Sequence, residues 1–241
     1  MRSTAAVSRL LPRVAAFLLL AVLSPLATAL SGVEPYPLAQ RIDLTSLLPP
    51  PPSAGSDADR ADLAAVLALQ QSRSEAQLDL AKADAEASVF RFADAVGKDF
   101  AAERLPHTAL LFERMTRSIG AVVGSTKVHW NRPRPFLASG DVHPASRPDG
   151  ATYPSGHAVL ARLYAIVLAD LLPQKRREIF ARGDRFAQGR LVTGVHYPTD
   201  VEAGLIAATV IAAELRQQQA FRDDLARARQ ELTAWQGAAA P

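Results

Sequence analysis

The sequence predicts an all-α fold, in which a single-domain helical bundle places its active site at helix ends around a core helix. Apolar residues recur at helical spacing over most of the chain, and no segment shows the alternation typical of a half-buried strand. The apolar stretches are rich in small residues, which let packed helices approach closely. With 241 residues, of which 49% are apolar, the chain can form one domain with a sizeable core.

The first 29 residues are expected to be a secretory signal. Three arginines precede an apolar run over 14–23, and Ala27 and Ala29 form the small-x-small pattern of a cleavage site. We expect cleavage after Ala29 and a periplasmic or secreted protein, with retention of the run as a membrane anchor as the competing interpretation. Cysteine is absent, which excludes disulfides, thiol catalysis and Cys-ligated metal sites.

Removal of the signal also changes the charge. The precursor has 27 basic and 24 acidic residues, and the three signal arginines leave with the signal, so the mature chain has a formal charge of zero. The basic precursor is therefore no argument for binding nucleic acid or an anionic membrane. A proline-rich arm is expected over 30–56, lying on the surface, and the helical domain over 57–237.

Within that domain, the pattern predicts two alanine-rich helices reaching about residue 87 and a short one over 89–96. Later helices are expected over 108–125, 157–172, 174–190 and 200–216, and a final amphipathic helix over 221–235. Residues 127–135 should be extended because of their prolines, and 136–153 form a long loop of the kind that usually serves a site. Helix 157–172 is apolar on most sides and should be central.

Residues 190–200 carry three groups suited to phosphate chemistry. Arg190 offers a planar fork of donors that fits two phosphate oxygens. His196 can act as a nucleophile. Asp200 lies four residues further on, and at a helix start its carboxylate can turn back to accept the Nδ1–H of His196 and leave Nε2 unprotonated. Attack on phosphorus also needs an acid for the leaving group and a cage of positive charge.

Two other segments can supply these groups. Ser155, Gly156 and His157 open the central helix, where unpaired N–H groups and the Ser155 hydroxyl can bind an anion and a protonated His157 can donate to a leaving oxygen. Upstream, Lys127 and Arg134 add positive charge. Taken alone, Ser155, Gly156 and His157 are equally well explained as an ordinary helix cap followed by a surface histidine. Each cation taken alone is explained as a solvated surface charge.

Together the segments give K-x6-R-P, P-S-G-H and R-x5-H-x3-D, in that order. This combination resembles the tripartite signature of the type 2 phosphatidic acid phosphatase and vanadate-haloperoxidase superfamily, within which the bacterial class A non-specific acid phosphatases are most similar. The signal, the proline-rich segment and the final helices support that subgroup, and the resemblance covers residues 44–235. Arg132 falls outside the motif. Gly189 stands where the family usually has serine, so we expect one lost hydroxyl contact or a compensating backbone contact.

The resemblance implies a role for each motif residue. Lys127, Arg134 and Arg190 would bind phosphate oxygens, and Ser155 and the Gly156 amide would complete the cage. Cationic side chains would take the place of a divalent ion, so we expect no metal and no other cofactor.

His196 would be the nucleophile, His157 the general acid and Asp200 the partner that orients His196. The resemblance thus implies hydrolysis of small-molecule phosphate monoesters through a phosphohistidine. Because one histidine must be protonated while the other is not, an acidic to near-neutral pH optimum is expected. Neither nucleic acid nor a membrane span after signal removal is expected, and dimerisation is suggested by the resemblance alone.

Four alternatives stay open. A vanadate-dependent haloperoxidase would use the same oxyanion site, although its known members are generally longer. A membrane lipid phosphatase would need several spans, and a phosphate-binding module without turnover would share the motifs. Asp141, His143 and Asp149 are candidate metal ligands, but polar residues in such a loop are usually solvated.

Overall fold

The computed structural model describes residues 33–238, and the predicted signal over 1–29 lies outside them. No strand occurs in this range, and the all-α class is confirmed. Single turns of 3-10 helix lie at Val89–Phe92, Ala102–Arg104 and Pro173–Lys175. The α-helices are α1 (Leu44–Leu47), α2 (Asp57–Ser72), α3 (Glu75–Ala83), α4 (Ala93–Val96), α5 (Pro106–Trp130), α6 (Pro135–Ala138), α7 (Gly156–Leu171), α8 (Arg176–Val192), α9 (Pro198–Gln217) and α10 (Gln219–Ala238).

Helix α7 is the centre of the bundle, as its apolar sequence predicted. Eleven of its 16 residues are buried, and α8 and α9 pack along it. Two glycines permit this close packing. A Cβ on Gly183 of α8 would lie 2.9 Å from the Ala165 Cβ, and a Cβ on Gly204 of α9 would lie 2.7 Å from the Ser155 carbonyl oxygen. Larger residues at either position would push the helix away from α7.

Helix α5 is longer than predicted. It continues to Trp130, so Lys127 lies on its last turn and not in an extended segment. Asn131 ends the helix in the left-handed conformation, with a φ of 43°. A proline disfavours helix mainly for itself and the residue before it, so Pro133 permits helical structure up to Trp130. Pro135 then begins α6, where its missing N–H is harmless, inside the segment expected to be extended.

The segment over 33–48 is packed into the bundle, which corrects the expectation of a surface arm. Tyr36, Leu38 and Leu44 are buried in the main core. The Tyr36 hydroxyl donates to Asp224 of α10 over 2.6 Å, and its ring meets Phe221 edge to face. The expectation of an exposed arm rested on proline content. Proline indicates that a segment is not a regular helix, but it says little about whether the segment is buried. Within residues 33–238, no helix combines the length and hydropathy needed to cross a membrane.

Candidate active site

The N-terminal ends of α7 and α9 meet at one end of the bundle. The Ser155 N–H donates to the Asp200 carbonyl over 2.9 Å, and the close approach at Gly204 brings the two helices together. His157, on the first turn of α7, and His196, just before α9, therefore lie at the same end of the core helix. The predicted motif residues from these two segments are gathered into one site.

His196 and Asp200 form the predicted pair. The His196 Nδ1 lies 3.3 Å from Asp200 Oδ2, and the same oxygen accepts the Tyr197 N–H over 2.8 Å. Thr152, from the loop before α7, contacts both residues. Its Oγ1 lies 2.8 Å from His196 Nδ1 and 2.6 Å from Asp200 Oδ2. All three side chains are buried, with His196 only 4% exposed. Burial alone would raise the pKa of Asp200, but hydrogen bonds from His196, Thr152 and Tyr197 lower it below its ordinary value, which keeps the carboxylate charged.

Arg132 belongs to the site, although sequence reasoning placed it outside the motif. Its Nη1 donates to Asp200 Oδ1 over 2.9 Å, and its Nη2 donates to Asp62 over 2.8 Å and to Asp59 over 3.0 Å. The guanidinium also stacks on the Tyr197 ring. The sequence signal for this network is weak. Asp59 and Asp62 lie about one turn apart on α2, and Asp62 is 70 positions before Arg132.

The three predicted cage cations are oriented by backbone carbonyls and a hydroxyl. Lys127 Nζ donates to the carbonyls of Ala151 and Thr152 over 2.7 and 3.0 Å. Arg134 donates to three carbonyls, including that of Val195 over 3.0 Å. Arg190 donates to the Thr193 hydroxyl over 3.0 Å. None of the three cations forms an ion pair with a carboxylate of residues 33–238. Their positive charge is therefore not neutralised by direct contact, although Asp200 acts on Lys127 and Arg134, and Asp84 acts on Arg190, from farther away.

The pKa directions show that these charges converge. Burial and the charge of Arg134 lower the pKa of Lys127 to about 8 and that of Arg190 to about 10, against the opposing effects of Asp200 on Lys127 and of Asp84 on Arg190. Burial also lowers the pKa of His157 and of His196 to about 4, and the charges of Lys127 and Arg134 act on both histidines in the same direction. The site is thus strongly electropositive and holds two neutral histidines near neutral pH, which suits an anion.

The start of α7 differs in one detail from the expectation. The Ser155 hydroxyl is not unpaired, since it caps the helix by accepting the Ala158 N–H over 3.3 Å, although its own hydrogen can still be donated. The N–H groups of Gly156 and His157 donate to no acceptor within residues 33–238. The His157 Nε2 lies 3.1 Å from the Ala85 carbonyl oxygen.

A side chain at Gly189 would lie in tight contact with α3. A Cβ there would lie 3.2 Å from the Ala81 Cβ and 3.4 Å from its Cα, because α3 packs directly on α8. The Ala81 carbonyl also accepts a long contact of 3.5 Å from Arg190 Nη2. The backbone of Ala81 thus lies next to both Gly189 and the Arg190 guanidinium.

The three loop residues considered as metal ligands are not gathered into a metal site. Among residues 33–238, no group of three His, Cys, Asp or Glu side chains is arranged to hold a metal ion, so Asp141, His143 and Asp149 do not come together.

Comparisons with known proteins agree with the geometry. The model of the PAP2 superfamily matches residues 109–224. An acid phosphatase of Zymomonas mobilis is 35% identical, over 77% of this chain and 74% of that protein. The chain belongs to the PAP2 superfamily.

This PAP2 chain is also 31% identical to a non-specific acid phosphatase of Salmonella typhi, over 77% of this chain and 78% of that protein. A non-specific acid phosphatase of Salmonella typhimurium is 29% identical, over 85% of this chain and 86% of that protein. The subgroup indicated by the motifs, a bacterial acid phosphatase and hence a phosphoric monoester hydrolase, is confirmed.

Proposed function

We propose that the protein hydrolyses small phosphate monoesters through a covalent phosphohistidine on His196, without a metal ion. The observation that supports this proposal is the group of Lys127, Arg134 and Arg190, none of which forms an ion pair with a carboxylate of residues 33–238. All three act on His157, and Lys127 and Arg134 also act on His196. A bound phosphate group supplies the missing negative charge. The same cations then stabilise the charge that spreads over the phosphoryl oxygens in the transition state, the role that a divalent ion has elsewhere.

The nucleophile in this proposal is the Nε2 of His196. Its pKa of about 4 means that the ring is neutral in mildly acidic solution, and the Asp200 carboxylate favours the tautomer with hydrogen on Nδ1. The lone pair on Nε2 attacks phosphorus, and the bond to the leaving oxygen breaks on the opposite side. The Gly156 N–H and the Ser155 hydroxyl, at the start of α7, are donors for the phosphoryl oxygens.

The general acid in this proposal is His157, which acts through Nδ1. A carbonyl oxygen can only accept, so the Ala85 contact requires hydrogen on Nε2, and the proton exchanged with the leaving group belongs on Nδ1. Burial and the neighbouring cations hold the pKa of this histidine near 4 in the free site. Bound phosphate cancels that positive charge and raises the pKa, so His157 is protonated when substrate is present. After giving up the proton, neutral His157 takes one from the water that attacks the phosphohistidine.

The remaining expectations form part of the same proposal. The mature protein begins after Ala29 and acts on small molecules in the periplasm or outside the cell, and dimerisation is suggested by the family resemblance alone. All three relatives described above are named acid phosphatases, which favours hydrolysis over the vanadate-haloperoxidase alternative. Dye bromination with added vanadate and peroxide distinguishes the two activities.

The test uses mature protein with p-nitrophenyl phosphate in EDTA, followed by rapid mixing with ³²P-labelled substrate and an alkaline quench that preserves phosphohistidine. We expect turnover in EDTA and one labelled histidine, both abolished in His196→Ala. His143→Ala, in the exposed loop, is the matched control and should keep both signals. Activity that requires an added metal, or label on a residue other than His196, would overturn the proposal.

A further inference from the structure

We propose that Thr152, on the loop before α7, is a positioning residue that fixes the tautomer and the ring orientation of His196. This inference rests on the proposed role of His196 as nucleophile. It assigns the threonine hydroxyl a task that the phosphate-binding motifs leave to Asp200 alone.

The hydrogen count at this cluster allows one arrangement when the carboxylate is charged. Thr152 Oγ1 has one hydrogen and lies 2.6 Å from Asp200 Oδ2, which can only accept. The hydroxyl therefore donates to the carboxylate and offers its lone pair to His196 Nδ1, 2.8 Å away. Nδ1 must then carry hydrogen, and Nε2 keeps the lone pair that attacks phosphorus. The direct contact of Nδ1 with Asp200 is 3.3 Å, so each of the two hydrogen bonds made by the hydroxyl is shorter than the direct contact.

The backbone of Thr152 fixes where this hydroxyl lies. Its N–H donates to the Arg132 carbonyl over 2.9 Å, and its carbonyl accepts from Lys127 Nζ over 3.0 Å. One residue thus contacts the phosphate cage through its carbonyl and the nucleophile through its side chain. Thr152→Val keeps the backbone bonds and nearly the same shape, so it removes the hydroxyl contacts selectively.

A buried threonine could also be present only to satisfy a carboxylate, and Thr108 provides the matched control for that role. Its side chain is fully buried, and its hydroxyl donates to Glu231 Oε2 over 2.7 Å. It lies near the opposite end of α5 from Lys127, about 28 Å along the helix at 1.5 Å per residue. Thr108→Val therefore removes a bond of the same kind far from the site.

The experiment measures phosphohistidine formation in single turnover, together with the inhibition constant of inorganic phosphate. For Thr152→Val we expect the rate constant to fall about tenfold to hundredfold, the order associated with losing a hydrogen bond to a charged group. The phosphate inhibition constant should stay within about twofold, because the hydroxyl does not belong to the cage, and Thr152→Ser should restore most of the rate. Thr108→Val should be less stable than wild type but should keep its rate constant.

A second measurement does not depend on folding of the variant. Histidine ¹⁵N NMR of the wild-type protein at pH 6 should show His196 with hydrogen on Nδ1 and none on Nε2. Hydrogen on Nε2 would contradict the proposal, and so would a folded Thr152→Val protein whose rate is unchanged. A parallel loss of rate and phosphate binding would mean that Thr152 is only structural. If His196→Ala still forms phosphoenzyme, the proposed function has failed, whereas comparison of the His196 tautomer between wild type and Thr152→Val still tests the role of Thr152.

Discussion

Arg132 and Asp200 form a buried ion pair, with Nη1 2.9 Å from Oδ1 and neither side chain more than 5% exposed. The other guanidinium nitrogen donates to Asp59 and Asp62 of α2. Asp200 therefore turns one oxygen toward His196 and the other toward Arg132, which is itself held by α2. Through this pair, α2 contributes to the orientation of Asp200 and, through Asp200, of His196.

Replacing Arg132 with methionine should strongly destabilise the protein. The substitution leaves Asp62 and Asp200 buried without their cation, and breaking such a network typically costs about 3–5 kcal/mol. Urea denaturation measures this difference in the free energy of unfolding. Arg185→Met is the control, because its pair with Asp94 is exposed on both sides and should contribute at most about 1 kcal/mol. A loss below about 1 kcal/mol for Arg132→Met would show that the pair is not structurally important.

The pH profile of kcat/KM should be bell-shaped, with its maximum between about pH 4 and pH 6. On the acid side, activity is lost as His196 becomes protonated, and its pKa is lowered to about 4, mainly by burial. His157 is also neutral in the free enzyme above about pH 4, so the proton for the leaving group must arrive with a substrate monoanion. The second ionisation of phosphate monoesters lies near about pH 6, and activity should fall above it.

This origin of the alkaline limb can be tested by changing the substrate. Esters with a lower second pKa should move the alkaline limb to lower pH and leave the acid limb in place. Steady-state kinetics with an alkyl and a nitroaryl phosphate provides the comparison. An alkaline limb that is the same for both esters would assign it to a group of the enzyme instead.

Inorganic phosphate should stabilise the protein against heat, because it brings negative charge to Lys127, Arg134 and Arg190, which form no ion pair with a carboxylate of residues 33–238. At a concentration of about 100 times the dissociation constant, the gain is about 2.7 kcal/mol. Lys127→Met should lose most of the shift in Tm that phosphate causes, whereas Lys98→Met, an exposed lysine outside the site, should keep it. Equal shifts in the two variants would mean that phosphate stabilises the protein elsewhere.

Restoring the serine that the family usually has at Gly189 should be harmful here. Gly189→Ser places a Cβ 3.2 Å from the Ala81 Cβ, and overpacking of this kind costs about 1–3 kcal/mol. Ala81→Gly in the same chain should recover much of that stability, as measured by the free energy of unfolding. Gly124→Ala is the control, because a Cβ there meets nothing within 4 Å and should stabilise α5 by up to about 1 kcal/mol. A Gly189→Ser protein as stable as wild type would show that α3 shifts easily.

The sequence predicted the helical class and the His196–Asp200 pair because both depend on short-range spacing. Four residues at the start of a helix are enough to bring a carboxylate to an imidazole. Arg132 and Thr152 could not be found in this way. The partner of Arg132 lies on a helix 70 positions away in the sequence. Thr152 lies in a loop 44 positions before His196, and a polar residue in irregular backbone carries no periodic signal. The packing of Tyr36 was missed for the same reason, since composition does not reveal burial.

The depth of His196 has a consequence for what the enzyme can discriminate. Only 4% of His196 and 6% of Arg134 is open to solvent, so a phosphate ester can reach either side chain only by bringing its phosphoryl group below the surface. The alcohol part of a larger ester then contacts residues nearer the surface, and preference among alcohols should be set there.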